Sequence, residues 1–118
     1  MTGPSLPPLR TRANDFDEIV GQTVDFVRAS WPEEMSTVSV LVVNAPAEAI
    51  HGDHIDRWAI NAERNSVTLF RMPITRFDFN PEDDALQRRM LIEGYVLRSL
   101  AELLGKDPWD LARFRYGQ

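Results

Sequence analysis

The segment spanning residues 80–105 constrains the fold more than any other part of the chain, because the sequence marks both of its ends. Asn80 is a favourable N-cap, Pro81 suits the first helical position, and Gly105 suits the left-handed conformation that often ends a helix. Apolar residues at helical spacing cover roughly half of the circumference between these ends. They are Leu86, Met90, Ile92, Val96, Leu97, Leu100, Ala101, Leu103 and Leu104. The pattern predicts a long central helix with its wide apolar side buried in the core.

Two polar residues, Arg98 and Glu102, lie at the edge of this apolar side, shortly before Gly105. Their i, i+4 spacing predicts an exposed ion pair, which stabilises a helix by about 0.2–0.5 kcal/mol. Ser99 is predicted to lie on the polar side. A cleft between the helix and a sheet would open at this edge, so Arg98 and Glu102 are candidates to line it.

Two further charges, Arg89 and Glu93, interrupt the apolar side. One interpretation is an ion pair at its rim, with the aliphatic stems buried and the charged head groups in water. The other is a functional carboxylate whose pKa is raised by burial in an apolar pocket. The arginine four residues away favours the structural ion pair.

The other segments alternate between helical and extended patterns. They are a helix over residues 15–31 with a capping box at Asp15 and Glu18, strands over 38–43, 57–60 and 66–72, a loop over 44–56, and a short helix from Asp107 to about Phe114. This order predicts an α+β fold in which an N-terminal helix and the long helix pack on one small mixed or antiparallel sheet. Residues 1–13 hold three prolines and are predicted to form a flexible tail, and residues 14–118 a single domain.

Composition argues against several classes of partner. The 118 residues carry a formal net charge of −5, which disfavours nucleic acid and anionic lipid. The chain has no cysteine, so it has no disulfide and no thiolate ligand or nucleophile. No apolar run reaches the ~18 residues of a membrane span, and the N-terminal residues lack the apolar region of a signal peptide. We therefore expect a cytoplasmic protein that binds neither nucleic acid nor membrane.

Several of these segments together resemble the small zincin-like metallopeptidase family of bacteria, which is common in actinobacteria. Two pieces carry the resemblance best. Leu-Phe-Arg-Met-Pro-Ile at residues 69–74 resembles the Arg-x-Pro-Ile element that follows a strand in the family, and Leu-Ala-Glu-Leu-Leu-Gly at residues 100–105 resembles the end of its zinc-binding helix. The resemblance covers roughly residues 14–110. It implies a zincin-like α+β fold and, in the family, a zinc-dependent peptidase centre built on an HExxH motif.

Aligned on Gly105, the resemblance places the first histidine of that motif at Arg98, its glutamate at Ser99 and its second histidine at Glu102. Zinc hydrolysis at HExxH needs two imidazole ligands and a carboxylate base. Arginine is permanently protonated and cannot ligate, and serine cannot act as that base. The motif is degenerate, so we expect no zinc cofactor, no peptidase activity and no catalytic role for these three residues. We expect a pseudoenzyme that acts through an unidentified protein partner or through self-association.

The histidines of the chain, His51 and His54, suggest an alternative. The two imidazoles, close to the carboxylates of Asp53 and Asp56, could chelate a divalent cation. With a further carboxylate such as Glu102 or Glu93, they could form a divergent metal-dependent hydrolase or peptidase, provided that their loop folds over the long helix. A solvent loop with two titratable side chains is the simpler interpretation.

Overall fold

The computed structural model of the protein describes residues 12–45, 50–51 and 54–112. In chain order the elements are α1 (Arg12–Ser30), β1 (Ser39–Val43), β2 (Ile50–His51), β3 (His54–Ile55), β4 (Trp58–Asn61), β5 (Ser66–Phe70), α2 (Arg71–Pro73), α3 (Ala85–Leu104) and α4 (Pro108–Ala112). A π-helical turn (Ile74–Asp78) continues directly from α2.

The strands β1, β5 and β4 form a three-stranded sheet in that order, with β1 parallel and β4 antiparallel to β5. The predicted α+β class with a small mixed sheet is therefore confirmed. The register aligns Val42 with Leu69 and Leu69 with Trp58 across the sheet. Since successive side chains of a strand point to opposite faces, these three residues share one face, and that face packs into the hydrophobic core.

The helix α3 is central to the packing, because it contacts β4, β5, α1 and α4. Its buried apolar residues meet those of α1, which recur at the helical spacing predicted from the sequence. The buried apolar residues of the two helices are Phe16, Val20, Val24 and Val27 in α1 and Ile92, Val96, Leu97, Leu100 and Ala101 in α3. Burial of such side chains stabilises a fold by about 25 cal/mol per Å² of apolar surface removed from water.

The start of α3 differs from its prediction. The N-cap is Asp84 rather than Asn80, and the helix begins at Ala85. The Asp84 carboxylate accepts a hydrogen bond from the Gln87 amide, and the Gln87 side chain accepts one from the Asp84 amide, each at 2.8 Å. Residues 80–83 form a separate turn, because the Asp83 amide donates to the Asn80 carbonyl at 3.0 Å. At the other end the prediction is confirmed, since Gly105 adopts the left-handed conformation with φ of 70°.

The burial of α3 also differs from its prediction at three positions. Leu86 and Met90 were expected in the core, yet they are 63% and 54% exposed. Leu86 lines an open groove of about 460 Å³ between α1 and the start of α3, so this end of the apolar side is not covered there. Ser99, expected on the polar side, is fully buried. Its hydroxyl donates to the Val96 carbonyl at 2.9 Å, which satisfies the polar group within the helix.

Three other boundaries depart from the sequence pattern. The helix α1 begins at Arg12, so Asp15 lies inside it and is not its N-cap. The predicted loop contains the short strands β2 and β3, which pair antiparallel with each other. The strand predicted over residues 66–72 ends at Phe70, because the chain turns helical at Arg71.

None of the helices among the described residues is both long enough and apolar enough to span a lipid bilayer.

Candidate functional site

A cleft of about 610 Å³ opens between β4 and the exposed side of α3, where the sequence placed it. We call it the β4–α3 cleft. It is lined by Asp56, Arg57, Trp58, Ala59, Ile60, Tyr95, Arg98 and Glu102. Of the three residues at which the resemblance predicts the HExxH motif, the structure brings Arg98 and Glu102 into one cleft and leaves Ser99 in the core.

One wall of the cleft is the edge strand β4, which pairs only with β5 in the described sheet. The Phe70 amide donates to the Arg57 carbonyl at 2.9 Å, so Arg57 and Phe70 form a hydrogen-bonded pair of the antiparallel ladder. Residues 59 and 61 then bond to β5 as well, because hydrogen-bonded and non-hydrogen-bonded positions alternate along such a pair. The backbone N–H and C=O groups of Trp58 and Ile60 consequently point away from β5, along the free edge of the sheet.

The base of the cleft is organised by Asp78, the last residue of the π-helical turn. Its two carboxylate oxygens accept hydrogen bonds from Nε and Nη2 of Arg57, both at 2.8 Å. The Tyr95 hydroxyl donates to the same carboxylate at 2.6 Å. Through one side chain the π-helical turn is thus fastened both to Arg57, the residue before β4, and to α3.

These contacts set the protonation states at the base of the cleft. Hydrogen bonds from the Arg57 guanidinium, and then from the Tyr95 hydroxyl, hold the pKa of Asp78 below its ordinary value against the opposing effect of burial. Burial raises the pKa of Tyr95, and its hydrogen bond to the Asp78 carboxylate adds to the rise. Asp78 therefore stays ionised and Tyr95 neutral around neutral pH, and a carboxylate held in this way is a poor general base.

The predicted ion pair between Arg98 and Glu102 is wrong. The Glu102 carboxylate instead accepts a hydrogen bond from the indole Nε1 of Trp58 at 2.8 Å, which joins α3 to β4 across the cleft. The Arg98 side chain extends along α3 toward Gly94, away from Glu102. Its Nε donates to the Gly94 carbonyl at 3.2 Å, and its guanidinium carbon lies 4.5 Å from the centre of the Tyr95 ring.

The aromatic side chains of the cleft form one connected group. The rings of Trp58 and Tyr95 meet edge to face, with centroids 5.9 Å apart and planes at 61°. Tyr95 thus receives the Trp58 ring on one side and the Arg98 guanidinium within cation–π distance. This arrangement gives the cleft a semi-rigid aromatic wall.

Arg98, Ser99 and Glu102 do not fit a catalytic zinc site. Such a site takes three protein ligands and an open position for water. Arg98 offers no lone pair, the Ser99 hydroxyl is buried in the helix, and the Glu102 carboxylate is engaged by an indole. In the described part of the chain, no three histidine or acidic side chains are grouped as a metal would require.

Among the residues of the alternative metal site, Asp56 and Glu102 line the β4–α3 cleft. The backbone register sets His51 opposite His54 in the β2–β3 pair, and their side chains lie outside the described residues. Glu93 does not line the β4–α3 cleft. Its carboxylate accepts a hydrogen bond from Arg89 at 3.1 Å and its side chain is only 4% exposed. The predicted ion pair between Arg89 and Glu93 is confirmed, but its carboxylate is buried rather than in water.

The sequence pattern did not identify the residues that organise the cleft. Arg57 and Asp78 are 21 positions apart, and Trp58 and Glu102 are 44 apart, so no local spacing relates the partners. The one available signal was Asp78 itself, a lone acid between two phenylalanines in the connection before α3. That signal was weak, because one of the two phenylalanines, Phe77, is 60% exposed.

The sequence matches no protein-family model and none of the curated proteins with which it was compared.

Proposed function

We propose that this protein is a non-catalytic, zincin-like binding protein whose β4–α3 cleft accepts an extended peptide segment of another protein. The observation that carries the proposal is the free edge of β4, which forms one wall of a cleft whose other wall is α3. An extended peptide can add to such an edge as a further strand, with affinity from main-chain hydrogen bonds and specificity from pockets for alternate side chains.

The dimensions and lining of the cleft support a peptide of a few residues. The outward N–H and C=O groups of Trp58 and Ile60 are two residues apart, which is the repeat of an antiparallel ladder. The opposite wall offers an aromatic face at Tyr95 and a cation at Arg98. The lining is half charged, so specificity there would come mainly from polar contacts placed beside the two aromatic rings.

The chemistry of the same residues supports binding without hydrolysis. A zincin-like peptidase would activate a metal-bound water with a carboxylate base. In this chain the glutamate position holds the buried Ser99, and the Asp78 carboxylate is committed to Arg57 and Tyr95. We therefore infer that the scaffold of this fold has been kept for recognition.

Selection of a random heptapeptide display library on the immobilised full chain tests the binding proposal. We expect peptides of extended, β-favouring sequence to be enriched and to quench or shift the fluorescence of Trp58, which lines the cleft. The matched control is Trp58→Phe, which keeps an aromatic ring and removes this signal. Enrichment of no peptide above background, or peptides whose binding leaves the emission of Trp58 unchanged, would contradict the proposal.

Elemental analysis of protein purified without chelators tests the absence of zinc catalysis. We expect zinc far below one atom per chain, and no difference between the wild type and Glu102→Ala. Glu63→Ala, at an exposed turn between β4 and β5, is the control for the loss of one acidic charge. Stoichiometric zinc that is retained by Glu63→Ala and lost from Glu102→Ala would overturn the proposal.

A further inference from the structure

We propose that the peptide bound in the β4–α3 cleft carries a carboxylate that Arg98 binds, so that the partner of this protein presents an acidic segment. This inference rests on the proposed peptide-binding function and adds the chemistry of the ligand. It follows from the different situations of the two arginines that line the cleft.

The positive charge of Arg57 is already balanced by the Asp78 carboxylate. Two of its nitrogens donate to the Asp78 carboxylate in a bidentate pair, and the pair is half-buried at the base of the cleft. Such an arginine holds the structure and has little attraction left for an incoming anion.

Arg98 is in the opposite situation. It is exposed, and within the described part of the chain no carboxylate lies within ion-pair distance of it. Its Nε is used by the Gly94 carbonyl. Its two terminal amino groups are therefore available, and they are the pair of donors that can grip a carboxylate side by side.

The guanidinium of Arg98 is also held in place before any ligand binds. It stacks against Tyr95, whose own position is fixed by the hydroxyl contact with Asp78 and the edge contact with Trp58. A side chain that is already ordered loses less conformational entropy on binding, and arginine loses less per hydrogen bond because its donors are planar.

The charge of the surrounding residues favours a carboxylate over a phosphate. Asp56 and Glu102 line the same cleft, so a ligand there meets two carboxylates as well as the guanidinium of Arg98. A phosphate ester carries a charge of about −1.5 to −2 near neutral pH and is usually bound by several arginines. A single arginine supplies fewer cations than a phosphate site usually has, but its two terminal amino groups can pair with the two oxygens of one carboxylate.

The peptides enriched from the heptapeptide library test this inference. We expect them to share an aspartate, a glutamate or a free C-terminal carboxylate at one fixed position. Synthetic versions of the best peptide, with the acid replaced by its amide or with the C-terminus amidated, then identify which carboxylate is bound. The bound carboxylate should contribute about 10- to 100-fold in affinity, as a hydrogen-bonded charge does.

The matched variants are Arg98→Gln and Arg64→Gln. Each removes one exposed arginine, but Arg64 lies in the turn between β4 and β5 and does not line the cleft. We expect Arg98→Gln to lose the same factor as the amide peptide, with no further loss when both changes are combined, and Arg64→Gln to bind as the wild type does. Arg98→Lys should recover part of the affinity, because it keeps the charge without the paired donors.

The outcomes separate the two proposals. Enriched peptides without any shared acid, or equal affinity of Arg98→Gln and the wild type, would overturn the carboxylate inference and leave peptide binding in place. Tighter binding of a phosphoserine peptide than of its aspartate counterpart would also overturn it. Failure of every peptide to bind the wild type would overturn the proposed function and this inference with it.

Discussion

At the scale of single residues, the cleft depends most on Asp78. Its carboxylate receives hydrogen bonds from the Arg57 guanidinium and the Tyr95 hydroxyl, and so connects three separate elements. Arg98 and Glu102, which the sequence placed at the cleft, also contact its other residues, because Arg98 lies against the Tyr95 ring and Glu102 accepts a hydrogen bond from the Trp58 indole. Tyr95 and Trp58 therefore line the cleft and also help to hold it together.

The substitution Asp78→Asn should lower the free energy of unfolding by about 1–3 kcal/mol, because it removes the carboxylate that pairs with the half-buried guanidinium of Arg57. Urea denaturation followed by circular dichroism measures the change. Tyr95→Phe removes one hydrogen bond to the same carboxylate and should cost less, about 1 kcal/mol. Equal stability of Asp78→Asn and the wild type would show that the carboxylate does not hold the base of the cleft.

The same carboxylate should make stability depend on pH in one direction. Because the pKa of Asp78 is lowered in the folded state, the unfolded chain binds more protons at this residue. Its stabilisation is therefore complete above the ordinary aspartate pKa of about 3.9 and is lost as the pH falls through the lower pKa of the folded state. The stability difference between wild type and Asp78→Asn should be constant near neutral pH and shrink in acid. A difference that grows in acid would contradict this assignment.

At the scale of elements, the sequence predicted the helix α3 well and its first turn wrongly. Its helical character and its end at Gly105 follow from helical periodicity and a left-handed glycine, which are local properties. Its start was ambiguous because Asn80 and Asp84 are both good N-caps. The helix starts after Asp84 because Gln87, three residues later, completes a reciprocal capping box with it.

The two candidate caps can be separated by mutation. Asp84→Ala should lower the free energy of unfolding by about 1 kcal/mol, since it removes the side-chain acceptor of the Gln87 amide. Asn80→Ala should have a much smaller effect, because Asn80 contributes its backbone to the preceding turn. Thermal or urea denaturation of both variants measures the contrast. A larger loss in Asn80→Ala than in Asp84→Ala would place the helix start where the sequence alone suggested.

Helical periodicity could not predict which residues of α3 are buried. A helical wheel assigns Leu86 and Met90 to the same side as Leu97, but only tertiary packing decides how far along the helix that side is covered. Leu86 and Met90 remain largely exposed, whereas Leu97 is buried against the core. Periodicity also placed Ser99 on the polar side. Its hydroxyl donates to a carbonyl of the same helix, which allows the side chain to be buried.

At the scale of the whole molecule, the fold class was predictable and the site was predictable in part. Runs of β-branched residues and one amphipathic helix on each side of them indicate an α+β arrangement without knowledge of strand order. The position of Arg98 and Glu102 at a cleft followed from helix geometry. Their partners Tyr95 and Trp58, and the Arg57–Asp78 pair beneath them, depend on how β4 and the π-helical turn meet α3.

Amide hydrogen exchange measured by NMR shows whether the free edge of β4 accepts a peptide strand, as we propose. With the selected peptide bound, exchange at the outward amides of Trp58 and Ile60 should slow by about tenfold or more. The amides of Ala59 and Asn61, which face β5, should change little and serve as internal controls. Unchanged exchange at Trp58 and Ile60, with protection appearing on β1 or elsewhere, would contradict the claim.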